Sequence, residues 1–347
     1  MLLNKVKWKK FKKDNLAFFS LFFIISFALI SIFLFLFIPD KTPYANDMHV
    51  ELATLKPGTS VYFVDILDDN KSEIFSIKHV FFGKKRTHKR IPILSYSEEI
   101  NGIRYVKYVD ELEYKHYGKY RVSKQIFLLG TDKYGRDMLS RILYGARISL
   151  SVGLVAVLIS LLIGLTLGLF AGYYQGLIDN LVMWFVNVVW SIPTLLMVIA
   201  LTLALGKGFW QVFIAIGFTM WVEVARIVRG QVISIKQNSY VEAGKSLGYR
   251  STRIIFRHIL PNITGPLIVI SAANFSAAIL IESGLSFLGI GAQPPLSSWG
   301  GMIRDHYYFI IMDKSYLAIV PGIAIMSFVL SFVFIGNGLR NAFDVKN

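Results

Sequence analysis

Six apolar stretches, each about as long as a membrane-spanning helix, dominate this sequence of 347 residues. A helix needs about 20 consecutive apolar residues to cross the hydrocarbon core of a bilayer. Five stretches contain no charged residue, and the sixth carries only Glu223 and Arg226 near its end. The pattern predicts an all-α polytopic membrane protein with six transmembrane helices. These helices are expected at residues 16–38, 148–170, 181–205, 209–228, 263–281 and 316–339.

The positions of lysine and arginine predict how these helices are oriented. Residues 1–15 contain six lysines against one acidic residue, and residues 223–262 contain seven basic residues against two acidic ones. Because basic residues collect on the cytoplasmic side of membrane helices, both termini are expected in the cytoplasm. The first apolar stretch exceeds the core of a signal peptide and is interpreted as a retained helix. The expected domains are a basic tail (1–15), a first transmembrane helix (16–38), an extracytoplasmic insertion (39–146) and a five-helix core (147–347) with a cytoplasmic loop at 229–262.

The insertion differs in character from the rest of the chain. Runs rich in Val, Ile, Tyr and Phe alternate there with turn residues, which is typical of strands joined by turns. A small β-rich insertion is therefore expected, serving as a spacer or as a docking surface for an external partner. Its strands are predicted at 61–67, 74–82, 91–96 and 103–109. Residues 285–303 are also uncharged, but their glycines and prolines predict an outer loop rather than a seventh crossing.

The composition also excludes several classes of function. The formal net charge of +15 is shared among the tail, the cytoplasmic loop and the insertion, so a membrane-lipid partner is expected and a nucleic-acid partner is not. The chain has no cysteine, which excludes disulfides, thiolate metal sites and a thiol nucleophile. The six histidines are scattered, and no metal site is expected from their spacing.

The triplet Gly244-Lys245-Ser246 matches the end of a phosphate-binding loop. Such a loop also requires a glycine five residues earlier and a preceding buried strand. Ser239 occupies the glycine position, and residues 233–238 do not resemble a buried strand. An ATP site on this chain is therefore not expected, and no catalytic residue is assigned.

The same stretch instead predicts a short helix at about 240–247. Ser239 and Glu242 have the spacing of a capping box at a helix start, and Gly248 is a typical helix stop. One face of this helix has small residues at its centre and bulky ones at its ends, namely Tyr240, Ala243, Gly244 and Leu247. A second helix is expected from Ser251 or Thr252 to Leu260, before Pro261. The helix at 240–247 is either a docking element or an ordinary amphipathic helix lying on the membrane.

The cytoplasmic loop resembles the signature of permease subunits of bacterial ABC importers, which is Glu-Ala-Ala, three residues, Gly, about ten residues and Leu-Pro. Over about residues 128–344 the chain is similar to one branch, the C-type subunit of dipeptide, oligopeptide and nickel importers. The third helix of that branch usually carries Met-Arg-x-x-Asp, whereas this chain has Trp184 and Asn187 in place of the two charges. The matching residues are Glu242-Ala243-Gly244, Gly248, Leu260-Pro261, Gly130-Thr131-Asp132, Gly135-Arg136-Asp137, Tyr144-Gly145-Ala146-Arg147, Ala171-Gly172-Tyr173-Tyr174, Ala225-Arg226-Ile227-Val228-Arg229, Leu285-Ser286-Phe287-Leu288-Gly289 and Gln293-Pro294-Pro295.

This resemblance implies a type I ABC importer permease fold and a mechanism. It implies one pore formed with a homologous B-type permease, two cytoplasmic ATPases that hold ATP and magnesium, and an extracytoplasmic solute-binding protein. The chain itself would bind no cofactor and would import peptides across the bacterial plasma membrane, with nickel and antibiotic peptides as alternatives. The short helix would be the coupling helix seated on an ATPase, with the residues Tyr240, Glu242, Ala243, Gly244, Leu247 and Gly248.

Three residues within the apolar stretches are candidates for a pore or gate. Glu282 is an ionisable group at a helix end within the apolar region, Asn274 lies mid-helix, and Pro193 is expected to kink its helix. The alternatives are an ion pair between Glu282 and Arg304, and simple packing for the other two.

Two alternative functions remain for the chain as a whole. One is a secondary transporter that uses Glu223 or Glu282 for proton coupling, and the other is a membrane-anchored sensor.

Overall fold

The computed structural model describes residues 5–67, 77–206 and 208–343, most of them in helices. It divides into two compact units: a helical unit of Met1–Ser26, Ser149–Gln293 and Ile323–Asn347, and a sheet unit of Phe27–Ile148 and Pro294–Gly322. The helices are α1 Lys5–Lys13, α2 Asn15–Ile32, α3 Leu34–Phe37, α4 Lys78–Phe82, α5 Met138–Tyr174, α6 Gly176–Trp190, α7 Thr194–Leu205, α8 Phe209–Lys236, α9 Ser239–Ser246, α10 Ser251–Ile254, α11 Leu260–Phe287, α12 Trp299–His306 and α13 Tyr316–Phe343.

Within the described ranges, five continuous helices are long and apolar enough to cross a membrane. They are α2, α5, α8, the run Ser251–Phe287 and α13. The pair α6 and α7 supplies a sixth span if the two are taken together. The predicted class, a polytopic helical membrane protein with a small sheet insertion, is therefore confirmed, with five candidate crossings or six if α6 and α7 form one span.

The prediction of one kinked helix at 181–205 is wrong. The structure has two helices, α6 and α7, that meet at an angle of 88°. Pro193 is the residue immediately before α7, and its carbonyl accepts the backbone N–H of Met197 at 3.1 Å. Proline lacks an N–H and disfavours helical geometry in the residue before it, so the helix ends here instead of bending.

The predicted stop before Pro261 is also wrong, because α10 continues into α11 through a π-helical turn at Ile255–Ile259. Pro261 is the second residue of α11 and directly follows the π-helical turn, so its missing N–H falls where the regular hydrogen-bond pattern is already interrupted. The result is a helical run of 37 residues, Ser251–Phe287, that begins in the polar loop and includes the fifth apolar stretch.

A column of glycines on α5 sets the approach of α8. Gly164, Gly168 and Gly172 recur every four residues and so lie on one helix face. A β-carbon added to Gly168 would lie 2.7 Å from the carbonyl oxygen of Ala225, and one added to Gly164 would lie 2.6 Å from that of Trp221. Small residues at this spacing let helix backbones come together where lipid supplies no hydrophobic drive. The α5–α8 contact is therefore a direct backbone approach.

The sheet unit contains one antiparallel sheet with the strand order β4-β3-β2-β1-β5. The predicted strands at 61–67, 91–96 and 103–109 correspond to β1, β2 and β3. The strand predicted at 74–82 is wrong where it is described, because residues 78–82 form α4, while 74–76 lie outside the described residues. The strands are β1 Thr59–Ile66, β2 Lys89–Glu99, β3 Gly102–Lys107, β4 Glu113–Tyr117 and β5 Tyr120–Phe127. Neither β4 nor β5 was predicted, since their polar residues do not form an apolar run.

The uncharged segment 285–303 does not form a long helix of its own. It comprises the end of α11, a turn and the start of the eight-residue α12. Trp299 of α12 is fully buried, and its Nε1 donates to the carbonyl of Ile142 at 2.9 Å. A β-carbon on Gly145 would lie 2.6 Å from the indole ring, so this glycine leaves room for it.

The glycine column yields a matched pair of substitutions. Gly168→Ala should lower the free energy of unfolding by about 1–3 kcal/mol, because the new methyl group overpacks against the α8 backbone. Gly230→Ala on α8 meets no atom within 4 Å and should leave stability unchanged or raise it by up to about 1 kcal/mol. Thermal unfolding of the two variants in detergent measures this difference. Equal unfolding temperatures would show that the column does not set the packing.

Candidate functional site

The start of α9 differs from the predicted capping box. Asn238 is the N-cap residue, with an extended backbone, and its carbonyl accepts the N–H groups of Val241 at 2.9 Å and Glu242 at 3.3 Å. Its side chain makes no capping hydrogen bond. Ser239 already belongs to the helix, so it lacks the extended backbone that an N-cap side chain requires. The predicted pairing of Ser239 with Glu242 is therefore wrong, although the helix begins within one residue of its expected start.

The end of α9 is a Schellman motif. The N–H of Tyr249 donates to the carbonyl of Gly244 at 3.0 Å, and the N–H of Gly248 donates to that of Lys245 at 2.9 Å. Gly248 has a φ of 75°, the left-handed conformation that this motif requires. The predicted helix stop is confirmed at this glycine. The motif also places the ring of Tyr249 against Gly244, 3.3 Å from where a β-carbon would lie.

One side of α9 is buried in the helical unit. Val241 is only 1% exposed and joins an apolar cluster with residues of α5, α8 and the Ser251–Phe287 helix. Gly244, predicted to share a face with Tyr240, Ala243 and Leu247, is buried beside Val241. The buried members of this apolar cluster are Leu169, Tyr173, Val224, Val228, Val232, Val241, Ile254, Ile255, Ile259, Ile263 and Ile270.

The opposite side of α9 is open. Tyr240 is 46% exposed and Leu247 is 71% exposed, with the small residue Ala243 exposed between them. Glu242 is exposed on the same short helix. We call Tyr240, Ala243 and Leu247 the exposed face of α9. A helix face with bulky apolar residues at both ends and a small residue in the middle can fit into a groove on another protein.

Polar and aromatic contacts fix α9 to the helix that follows it. The Nδ2 of Asn262 donates to the Tyr240 hydroxyl at 3.2 Å. The Tyr249 ring stacks on His258 with centroids 5.9 Å apart, and the Arg253 guanidinium lies 4.0 Å from the same ring. With the buried Val241, these contacts attach both ends and the middle of α9 to the helical run.

The geometry of the Gly-Lys-Ser triplet does not suit a phosphate. Gly244, Lys245 and Ser246 form the last turn of α9, where backbone N–H groups are used within the helix. The carbonyl end of a helix carries partial negative charge, which repels anions.

Across the described part of the chain, no group of three or more His, Asp or Glu side chains could hold a metal ion.

The other two pore or gate candidates lie on α11. Asn274 is 2% exposed, and within the described residues its Nδ2 has no hydrogen-bond partner. Glu282 is buried, and its Oε1 accepts the hydroxyl of Ser286 at 2.7 Å. The same hydroxyl accepts the N–H of Ala292 at 3.1 Å, so Glu282 helps to hold the turn after α11. Arg304, the proposed partner of Glu282, has a neighbour in Asp305 at 3.6 Å.

An ion pair that the sequence did not reveal joins α6 to α8. Both carboxylate oxygens of Asp179 accept from the guanidinium of Arg229 at 2.5 Å. Arg226 turns toward α6 as well, with Nη2 3.2 Å from Asn187 Oδ1 and its guanidinium 3.6 Å from the Trp190 ring. Asn187, one of the two positions that differ from the Met-Arg-x-x-Asp pattern, thus supplies a neutral acceptor. Asp179 is the only acidic residue between α5 and residue 205, which is a signal that could have identified the pair.

A cavity of about 500 Å³ lies between α8, α11 and α13. Glu223 and Arg340 place charges of opposite sign on its wall. This cavity could not be predicted from the sequence, because its two charged residues, Glu223 and Arg340, are more than 100 positions apart. Its lining consists of Glu223, Ile227, Gln231, Gly265, Pro266, Val269, Ile270, Ala273, Arg340 and Phe343.

Two family models of membrane transport components match this chain. Residues 164–346, more than half of the chain, match the family model described as "Binding-protein-dependent transport system inner membrane component". Residues 4–57 match "N-terminal TM domain of oligopeptide transport permease C".

Two relatives are similar over most of their length. The chain is 45% identical to the oligopeptide transport system permease protein OppC of Salmonella typhimurium over 218 residues, 63% of this chain and 72% of the relative. It is 44% identical to the dipeptide transport system permease protein DppC of Bacillus subtilis over 217 residues, 62% of this chain and 68% of the relative. A solved structure of the MetNI methionine ABC transporter, inward facing, has a similar fold with a TM-score of 0.50 and 17% identity, covering 59% of this chain and 97% of that one.

The burial of Val241 provides a test of how α9 is held. Val241→Asp should loosen α9, because an unpaired carboxylate would replace an apolar side chain inside the cluster. Amide hydrogen exchange of residues 239–246 should accelerate by at least about tenfold. Ala243→Asp on the exposed face is the matched control and should leave exchange unchanged. Equal protection in both variants would show that the cluster does not anchor the helix.

Proposed function

Since the chain belongs to the family of binding-protein-dependent transport system inner membrane components, we propose that it forms half of the membrane pathway of an ATP-binding cassette importer for di- and oligopeptides. The proposal of peptide import is supported by the names of two relatives, a dipeptide and an oligopeptide transport system permease protein. The chain is a multi-pass inner-membrane protein, and its proposed orientation places both termini in the cytoplasm because the short basic segments flank that side.

The observation that carries this proposal is the construction of α9. Its exposed face, Tyr240, Ala243 and Leu247, is open for a partner, whereas Val241 on the opposite side packs into the apolar cluster. The attached helix Ser251–Phe287 extends into the apolar region and includes Asn274 and Glu282. A displacement applied to the exposed face is therefore transmitted directly to a transmembrane helix.

The partners follow from what this chain has and lacks. We assign ATP and magnesium to two cytoplasmic ATPases, one of which binds the exposed face of α9, since Gly244, Lys245 and Ser246 are helical and cannot wrap a phosphate. A homologous B-type permease would complete the pathway. An extracytoplasmic solute-binding protein would deliver the peptide.

The cavity between α8, α11 and α13 supports a peptide as the transported molecule. A free peptide carries an amino group and a carboxylate, so a route for it benefits from charges of both signs. Glu223 and Arg340 supply these on the cavity wall. We infer that this cavity contributes to the route through the membrane.

The coupling role predicts a specific effect of Leu247→Asp. Leu247 is exposed, so the substitution should leave the chain folded, but a buried interface anchor is worth about 2 kcal/mol or more. The affinity for the ATPase pair should fall by about thirtyfold or more. Uptake of a labelled peptide into proteoliposomes containing all subunits should fall with it.

Lys245→Ala is the control on the same helix and should change affinity by less than about threefold, as expected for an exposed charge. The proposal fails if Lys245→Ala abolishes nucleotide binding by the isolated chain. It also fails if uptake continues when the ATPases are inactivated, since that result would favour a secondary transporter.

A further inference from the structure

The sheet unit contains a second, strongly basic cavity of about 270 Å³. Among the described residues, six lysine and arginine side chains line it, together with one histidine and one carboxylate, that of Asp65. The described lining is Pro39, Lys41, Thr42, Asp65, Lys84, Lys85, Arg86, His88, Arg90 and Arg121. None of these residues belongs to the coupling or transport elements described above.

Strand pairing gathers this charge on one face of the sheet. Asp65 on β1 lies directly opposite Arg90 on β2 and Arg121 on β5, so the three side chains share a face. Asp65 Oδ1 lies 3.5 Å from the ring of His88 and 3.7 Å from Arg90 Nε. The Asp65 carboxylate therefore faces His88, Arg90 and Arg121.

The remaining cations differ in how they are paired. Arg86 pairs with Asp47 at 2.6 Å. Within the described residues, Lys41, Lys85 and Arg121 have no carboxylate at ion-pair distance. Burial, and then the charge of Arg86, lower the pKa of Arg90 from its usual value. An anion that entered the cavity would relieve this mutual repulsion.

The cavity lies directly beside the end of the first membrane-spanning segment. Pro39 and Lys41 follow α3, and the backbone N–H of Lys84 donates to the carbonyl of Lys41 at 2.9 Å. The rings of Phe33 and Phe81 lie 6.1 Å apart, which packs α4 against the same segment. The basic residues 84–86 are thereby held where the apolar segment ends.

Gly83 makes this close approach possible. It has a φ of 75°, and a β-carbon there would lie 2.9 Å from the carbonyl oxygen of Lys41. Any larger residue would push α4 and the following lysines away from α3. The position of the cavity beside the membrane segment is therefore built into the fold.

Exposed apolar side chains on α3 and α4 precede the basic residues of the cavity in the chain, and we call them the rim. Ile77 and Phe82 at the two ends of α4 are 73% and 70% exposed, and Leu36 and Phe37 on α3 are exposed as well. Apolar side chains followed immediately by lysines are the arrangement found where a protein meets the boundary between acyl chains and headgroups. Anionic lipids attract such basic clusters.

We propose that the basic cavity binds the phosphate of an anionic phospholipid headgroup, with the rim of Leu36, Phe37, Ile77 and Phe82 lying against the acyl chains. A free phosphate would satisfy the cations equally well. It would give no role to the exposed rim, which is why a lipid is the assigned source of the phosphate. Bound lipid would fix the sheet unit at the membrane surface.

The test is a titration of the purified chain in detergent with fluorescent phosphatidylglycerol and, separately, phosphatidylcholine. The wild-type chain should prefer phosphatidylglycerol. Lys85→Gln combined with Arg121→Gln should weaken its binding by about tenfold, because each basic group near an anionic surface contributes substantially. The control is Lys89→Gln combined with Lys124→Gln, which removes the same charge from neighbouring positions on the opposite face of β2 and β5.

A second variant separates a lipid from a soluble anion. Phe82→Ser should weaken phosphatidylglycerol binding and leave the binding of glycerol 1-phosphate unchanged. Equal affinity of the wild-type chain and the Lys85/Arg121 variant for phosphatidylglycerol would overturn the site. Inorganic phosphate binding as tightly as phosphatidylglycerol would overturn the lipid assignment, leaving a soluble-anion site.

Discussion

The backbone contact between α5 and α8 is the interaction on which the rest of the helical unit depends. In a membrane there is no hydrophobic driving force for helices to associate, so their packing relies on close approach of their backbones. Gly164, Gly168 and Gly172 provide it, because a β-carbon at each would lie within 3 Å of an atom of α8. The valines of α8 that meet this column, Val224 and Val228 among them, also belong to the apolar cluster that receives α9. One face of α8 thus packs against α5 and also against the cluster that holds α9.

This arrangement explains how a helix of eight residues can act as a defined contact element. Such a short helix is marginal in isolation. Here Val241 fixes its buried side, Gly248 and Tyr249 complete its last turn, and Asn262 holds its first. The inner face is used for attachment, which leaves the outer face free for the proposed ATPase partner. The division between the two faces is what a transducing element without catalytic groups requires.

The features that the sequence predicts best are those decided by neighbouring residues. Membrane spans depend on a local absence of charge, and the end of α9 depends on a left-handed Gly248. Two local predictions failed: Ser239 could not cap a helix that began one residue earlier than expected, and Pro193 ended its helix instead of kinking it. The apolar run 74–82 fits a strand or a helix by pattern alone. Cavities and the Asp179–Arg229 pair depend on contacts between segments far apart in the chain.

A distance measurement tests most directly whether α9 and the Ser251–Phe287 helix move as one body. Because the chain has no cysteine, two introduced at Ser246 and Leu280 would be its only spin-labelling sites. Leu280 is 52% exposed and Ser246 is also exposed, so both tolerate labels. Pulsed electron paramagnetic resonance on the assembled transporter should give the same distance distribution without nucleotide and with ATP trapped. A distribution that changes on ATP binding would show that the helix bends, for instance at the π-helical turn Ile255–Ile259, and would contradict rigid transmission.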